Sequence, residues 1–150
     1  MIPQLATLPL LDALTPAQRA VLSAVGVPQQ YPPGTRLFDE GQPADRCWII
    51  LSGCVAVDIA VPGQGSVTVQ GVGQGDLLGL SWFVPPYRWH FGATVVSPTR
   101  ALVLDAARLR ALADEDPALG YRLSLVLAQS MLTRLQSTRL RLLDLYRNAP

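Results

Sequence analysis

The densest chemistry in this 150-residue chain lies in residues 75–95, GDLLGLSWFVPPYRWHFGATV. Trp82, Phe83, Tyr87, Trp89 and Phe91 place five aromatic rings in ten residues, and Pro85-Pro86 stiffens the loop that carries them. Arg88 adds a planar fork suited to an anion. His90, the single histidine, has ring nitrogens that can serve a ligand or the loop backbone. Two uses of the rings stay open at this stage. They plug an interior pocket, or they wall a cavity for a flat or lipophilic ligand.

Composition removes several other chemistries. One histidine is too few for the metal centre of a cupin-type enzyme, and neither a G-x-S-x-G elbow nor a Walker loop occurs. Cys47 and Cys54 match no metal-ligand spacing and read as small buried hydrophobes. No catalytic residue, metal ligand or certain cofactor is assigned, so an enzyme is not expected. All twelve basic residues are arginine, and the formal net charge is +1, which gives no electrostatic case for nucleic acid or a membrane surface. No secretory leader pattern opens the chain, and no run approaches the roughly 18 apolar residues of a membrane span. The expected location is the cytoplasm.

Three zones position these residues, and together they are expected to form one domain over 1–150. Residues 8–28 form an N-terminal helical zone, with the helical pattern itself running from Leu8 to Val25 and Thr15-Pro16 as cap and first helical residue. Residues 29–104 alternate short β-branched or aromatic runs with glycine and proline, the pattern of an antiparallel roll or barrel. CVAVDI and VTVQ read as a hairpin about VPGQGS. Residues 105–146 return to helix: a short one over Ala106 to Ala113, then a long one from Pro117 to about Tyr146 capped by Asp114 or Asp116.

In the long helix, Tyr121, Leu125, Ala128, Leu132, Leu135, Leu142 and Tyr146 recur at steps of four and three, with Arg139 as the one polar member. A second stripe, Leu119, Leu123, Val126 and Leu127, suits packing on the β zone. That leaves the first stripe for a second copy of the chain, and a homodimer is expected. The fold class is mainly β with flanking helices: an antiparallel β-roll or jelly roll, an N-terminal helix and a long C-terminal dimerisation helix.

The segment PPGTRLFDEGQPADRCWIILSGCVAVDI, residues 32–59, resembles the cyclic nucleotide-binding domain superfamily. Gly34, Glu40-Gly41, Ala44-Asp45, the run WIILSG and Val55 follow the order and spacing of that family, and GQGDLLG at 73–79 resembles the turn into its phosphate-binding cassette. The resemblance spans Leu8 to Tyr146. It implies a catabolite activator-like β-roll. With the chain ending at Pro150, a stand-alone module without a helix-turn-helix domain is expected.

In that family a helix N-terminus and an arginine hold the cyclic phosphate while a glutamate takes the ribose hydroxyl. The resemblance puts Leu80 at the carboxylate position, Phe91 at the arginine and Gly92 at the small hydroxyl residue, so both polar anchors are missing. The ligand-binding residues it implies are Leu78, Gly79, Leu80, Ser81, Trp82, Arg88, His90, Phe91, Gly92 and Ala93, with Thr138 and Arg139 from the long helix. The expected function is a small-molecule-sensing regulatory module with a degenerate cassette. Its effector is left open between a cyclic nucleotide and an apolar or aromatic molecule, and its output passes to a downstream protein partner. A ligand-free scaffold is one alternative. Another is a genuine cyclic AMP or cyclic GMP binder that uses Arg88 or Arg139.

Overall fold

Thr15 begins the first regular helix because it and Gln18 satisfy each other's backbone. Thr15 Oγ1 accepts from the Gln18 N–H at 3.2 Å, and Gln18 Oε1 accepts from the Thr15 N–H at 2.9 Å. In this computed structural model, which describes residues 3–148, helix α1 runs Pro16–Val25. The helical pattern expected from Leu8 is broken. Short 3-10 turns occupy Pro3–Ala6 and Pro9–Leu11 instead. Proline explains the break, since Pro16 pushes Thr15 out of the helical region and has no N–H to continue a ladder.

Six strands follow among the described residues: β1 Val27–Tyr31, β2 Arg36–Phe38, β3 Arg46–Val61, β4 Gly65–Gly73, β5 Leu77–Leu78 and β6 Gly92–Asp105. Every pairing is antiparallel, in the order β1-β6-β3-β4, with β2 also on β6 and β5 also on β3. The expected hairpin is the β3–β4 pair. Strand β3 changes partner along its length, holding β5 at Trp48 and Ile49 and β4 from Cys54 onward. Register shifts in β3 and β6 let the two long strands bend into a roll. Trp48, Ile50, Val55, Val72, Leu78 and Leu102 are fully buried within it.

Asp105 ends β6 and caps α2, Ala106–Glu115, by accepting from the Arg108 N–H at 2.9 Å. Asp116 caps α3, Pro117–Arg147, by accepting from the Leu119 N–H at 3.2 Å. Leu119, Leu123, Val126 and Leu127 are buried and seat the first three turns of α3, each contributing about 2 kcal/mol through burial. Tyr121, Leu125, Ala128, Leu132, Leu135 and Leu142 are exposed on the outer side. No helix among the described residues is long and apolar enough to cross a membrane.

Candidate functional site

The cassette loop is fastened to the turn after β2. Ala44 N–H donates to the Tyr87 carbonyl at 2.7 Å, Trp89 N–H to the Gln42 carbonyl at 3.0 Å, and Gly41 N–H to the Trp89 carbonyl at 2.8 Å. Arg88 Nη1 donates to the Gly41 carbonyl at 2.9 Å, so its guanidinium serves this same junction. The pairing carries Trp89 inward, where its ring stacks on Phe38 with centroids 3.9 Å apart.

Trp82, in a 3-10 turn at Ser81–Phe83, is also fully buried, and its Nε1 donates to the Gly79 carbonyl at 2.9 Å. Gly79 has φ +101°, and a Cβ there would meet the Trp89 ring at 2.9 Å. Tyr87 takes the Arg110 guanidinium over its ring at 4.4 Å. Of the five rings, two are therefore core, Phe83 and Tyr87 are half-buried, and Phe91 is exposed. The inward-facing rings fill space.

Around them, Leu78 is paired with Trp48 and buried, Leu80 is half-buried, and Ala93 is fully buried. Ser81 Oγ lies 3.2 Å from His90 Nδ1. Gly92 is buried for a reason the sequence did not display: a Cβ there would lie 2.0 Å from Arg36 Nη2 and 2.8 Å from Asp58 Oδ1. Arg36 grips Asp58 with both terminal nitrogens, Nη1 to Oδ2 at 2.6 Å and Nη2 to Oδ1 at 3.1 Å. Nη1 also donates to Thr94 Oγ1 at 2.9 Å, and Nε donates to Asp39 Oδ1 at 2.8 Å. The Arg36 hydrogen bonds hold the Asp58 carboxyl below the usual carboxylate range, outweighing its burial. An ion pair thus occupies the space beside Gly92.

The open volume lies elsewhere. A groove of about 800 Å³ runs between the N-terminal turns, β4 with its turn into β5, and α3. Pro9 and Ala13 form one wall, Gln70 and Leu77 a second, and Gln129 and Arg134 the third. Arg134 Nη2 donates to the Leu77 carbonyl, and further along α3 Arg141 Nη1 donates to the Val69 carbonyl. Burial pulls the Arg134 pKa down from its ordinary value, while the nearby charge of Asp76 opposes the shift. Thr138 and Arg139 are both exposed on α3; Thr138 donates to the Arg134 carbonyl, and neither lines the groove. Arg134 escaped the sequence reading, although it continues the buried stripe from Leu127 through Ser130 at steps of three and four.

Among the described residues no cluster of His, Cys, Asp and Glu is able to hold a metal ion. The model of the cyclic nucleotide-binding domain matches residues 28–116. A CRP-like cAMP-activated global transcriptional regulator of Mycobacterium tuberculosis is 33% identical over 135 residues, 89% of this chain and 58% of its own length. The chain therefore spans little more than half of that relative. A solved cyclic nucleotide-binding domain from Methylobacillus flagellatus superposes with a TM-score of 0.82 at 24% identity, covering 91% of this chain and 80% of that one. The Thermus thermophilus catabolite activator protein gives 0.70 at 25%, covering 91% and 63%. The match over the roll and α2, joined to the antiparallel roll and long helix described above, makes this chain a member of the cyclic nucleotide-binding domain family.

Proposed function

We propose that this chain is a small-molecule-sensing regulatory module whose cassette no longer holds a cyclic phosphate in the family's manner, and whose output runs through a dimer of α3. The observation that carries this reading is the double duty of α3. One side of the helix walls the groove, an adjoining side offers the exposed apolar seam, and Leu125 lies where the two meet. A ligand that alters the seat of α3 on the roll thereby alters the surface offered to a second copy. Side chains such as Leu132 and Leu135, each nearly half exposed, are the kind a coiled-coil seam buries.

Sedimentation equilibrium tests the dimer. The wild-type chain is expected to sediment as a homodimer, and Leu135→Glu as a monomer with an intact roll. A monomeric wild type at high concentration removes the seam from the mechanism.

Thermal unfolding tests the cassette. Leu80 and Phe91 supply neither a carboxylate nor a guanidinium, and the Arg36–Asp58 pair sits against Gly92. Millimolar cyclic AMP or cyclic GMP is expected to move the midpoint by less than about 1 °C, whereas a ligand at a hundred times its dissociation constant adds about 2.7 kcal/mol to native stability. A concentration-dependent rise with either nucleotide would show that Arg88, Arg139 or another group has replaced the missing anchors. The burial of Trp82 and Trp89 favours a second reading, a ligand-free scaffold that acts through the dimer alone.

A further inference from the structure

Arg110 is half-buried without a carboxylate, but it lies over the Tyr87 ring and donates to the Trp82 carbonyl; among the described residues no ring contact is formed by Arg134. Arg134 is half-buried, yet no carboxylate among the described residues pairs with it, and the Leu77 carbonyl is its one protein acceptor. A guanidinium has five N–H donors, and burying a cation without a matched partner is costly. Among the described residues no buried side-chain nitrogen or oxygen lacks a hydrogen bond, so the unpaired donors of Arg134 reach solvent, and Arg134 lines the groove.

The rest of the groove wall mixes apolar surface from Leu10, Val72, Leu125 and Val126 with polar side chains. Gln70, Gln129, Ser130, Thr133 and Ser137 line it with amides and hydroxyls. Its volume of about 800 Å³ falls within the range of small-molecule sites. Two carboxylates also border it. Asp12 is turned toward Arg19, 3.7 Å away, and Asp76 Oδ2 accepts from the Gly73 N–H at 2.9 Å. Arg134 is thus the one cation among the groove's lining residues.

We propose that the groove binds a compact organic anion, with a carboxylate or phosphate on the free side of the Arg134 fork and a polar body against the Gln and Ser/Thr side chains of β4 and α3. A charge-assisted bidentate pair is stronger than a hydrogen bond to a neutral carbonyl, so the anion competes for the donor that now ties α3 to Leu77. This inference rests on the reading of the chain as a sensing module, and it supplies that module with a ligand class and a point of attachment.

The full chain is melted with inorganic phosphate, citrate or adenosine 5′-monophosphate, each against sodium chloride at equal ionic strength. These separate a bare anion, a carboxylate and a phosphate carried on a larger body. At least one is expected to raise the midpoint by about 4 °C at ten times its dissociation constant, and Arg134→Gln is expected to abolish the rise. Asp76→Asn keeps an acceptor for Gly73 but removes a competing negative charge, and is expected to tighten the same anion about threefold. The proposal is overturned if no anion exceeds the chloride control, if Arg134→Gln retains the rise, or if Asp76→Asn leaves the affinity unchanged. None of these outcomes bears on the dimer, which sedimentation reads independently.

Discussion

Asp58 is the buried carboxylate among the described residues, and its state depends chiefly on Arg36, with a smaller contribution from Ser66. The Arg36 fork lowers its pKa through hydrogen bonds and charge, and the folded value lies below the unfolded one of about 3.9. The sign follows from linkage: the pair's stabilisation is fully present above the unfolded pKa and is lost as pH falls through the folded value. Asp58→Asn is therefore expected to lower the melting midpoint at pH 7 by roughly 6 °C, from a loss of about 2 kcal/mol, with the gap to wild type closing below about pH 4. Melts across that pH range check this, and a gap independent of pH would mean that Asp58 acts by packing alone. The pair was not legible in the sequence, because its members lie 22 positions apart. They meet because β2 and β3 both border β6 near Gly92 and Thr94, and a register shift between Val57 and Asp58 accompanies the turn of the carboxylate toward Arg36.

At the scale of elements, caps and stripes were legible because their physics is local. Thr15-Pro16 and Asp116-Pro117 each supply a side-chain acceptor followed by a residue with no N–H to satisfy. Leu119, Leu123, Val126 and Leu127 declare a buried face by their spacing. Carrying the same steps past Leu127 reaches Ser130, Arg134, Ser137 and Arg141, and there a reading based on hydrophobicity stops although the helix face continues. That polar continuation is the face that meets β4 and β5 through the groove and two arginine–carbonyl bonds. The cassette failed for the opposite reason. Its five rings were conspicuous, but which of them point inward depends on the pairing of the loop with Gly41 to Ala44, a contact made across more than forty residues. Trp89 lies in the core beside Phe38 as a result, and Phe91 stays outside.

For the molecule as a whole, α3 divides into two parts of different standing. Up to Leu127 it is held by buried side chains; beyond that residue no side chain of the helix is buried, and most are exposed. An isolated helix of about 20 residues with little packing is marginal in water, so the second half draws its order from Arg134, from Arg141 and, in the proposed dimer, from the partner's seam. Amide hydrogen exchange separates these contributions. Amides at 119–127 are expected to be protected at every protein concentration, since opening them requires lifting α3 off the roll. Amides at 136–147 are expected to exchange rapidly in monomeric Leu135→Glu, and to gain protection in the wild type as concentration rises through the dimer constant. An anion in the groove that takes Arg134 from the Leu77 carbonyl would change protection first around that residue. Equal protection of 136–147 in wild type and in Leu135→Glu would place the order of α3 within one chain, and the seam would then have no part in transmitting a signal.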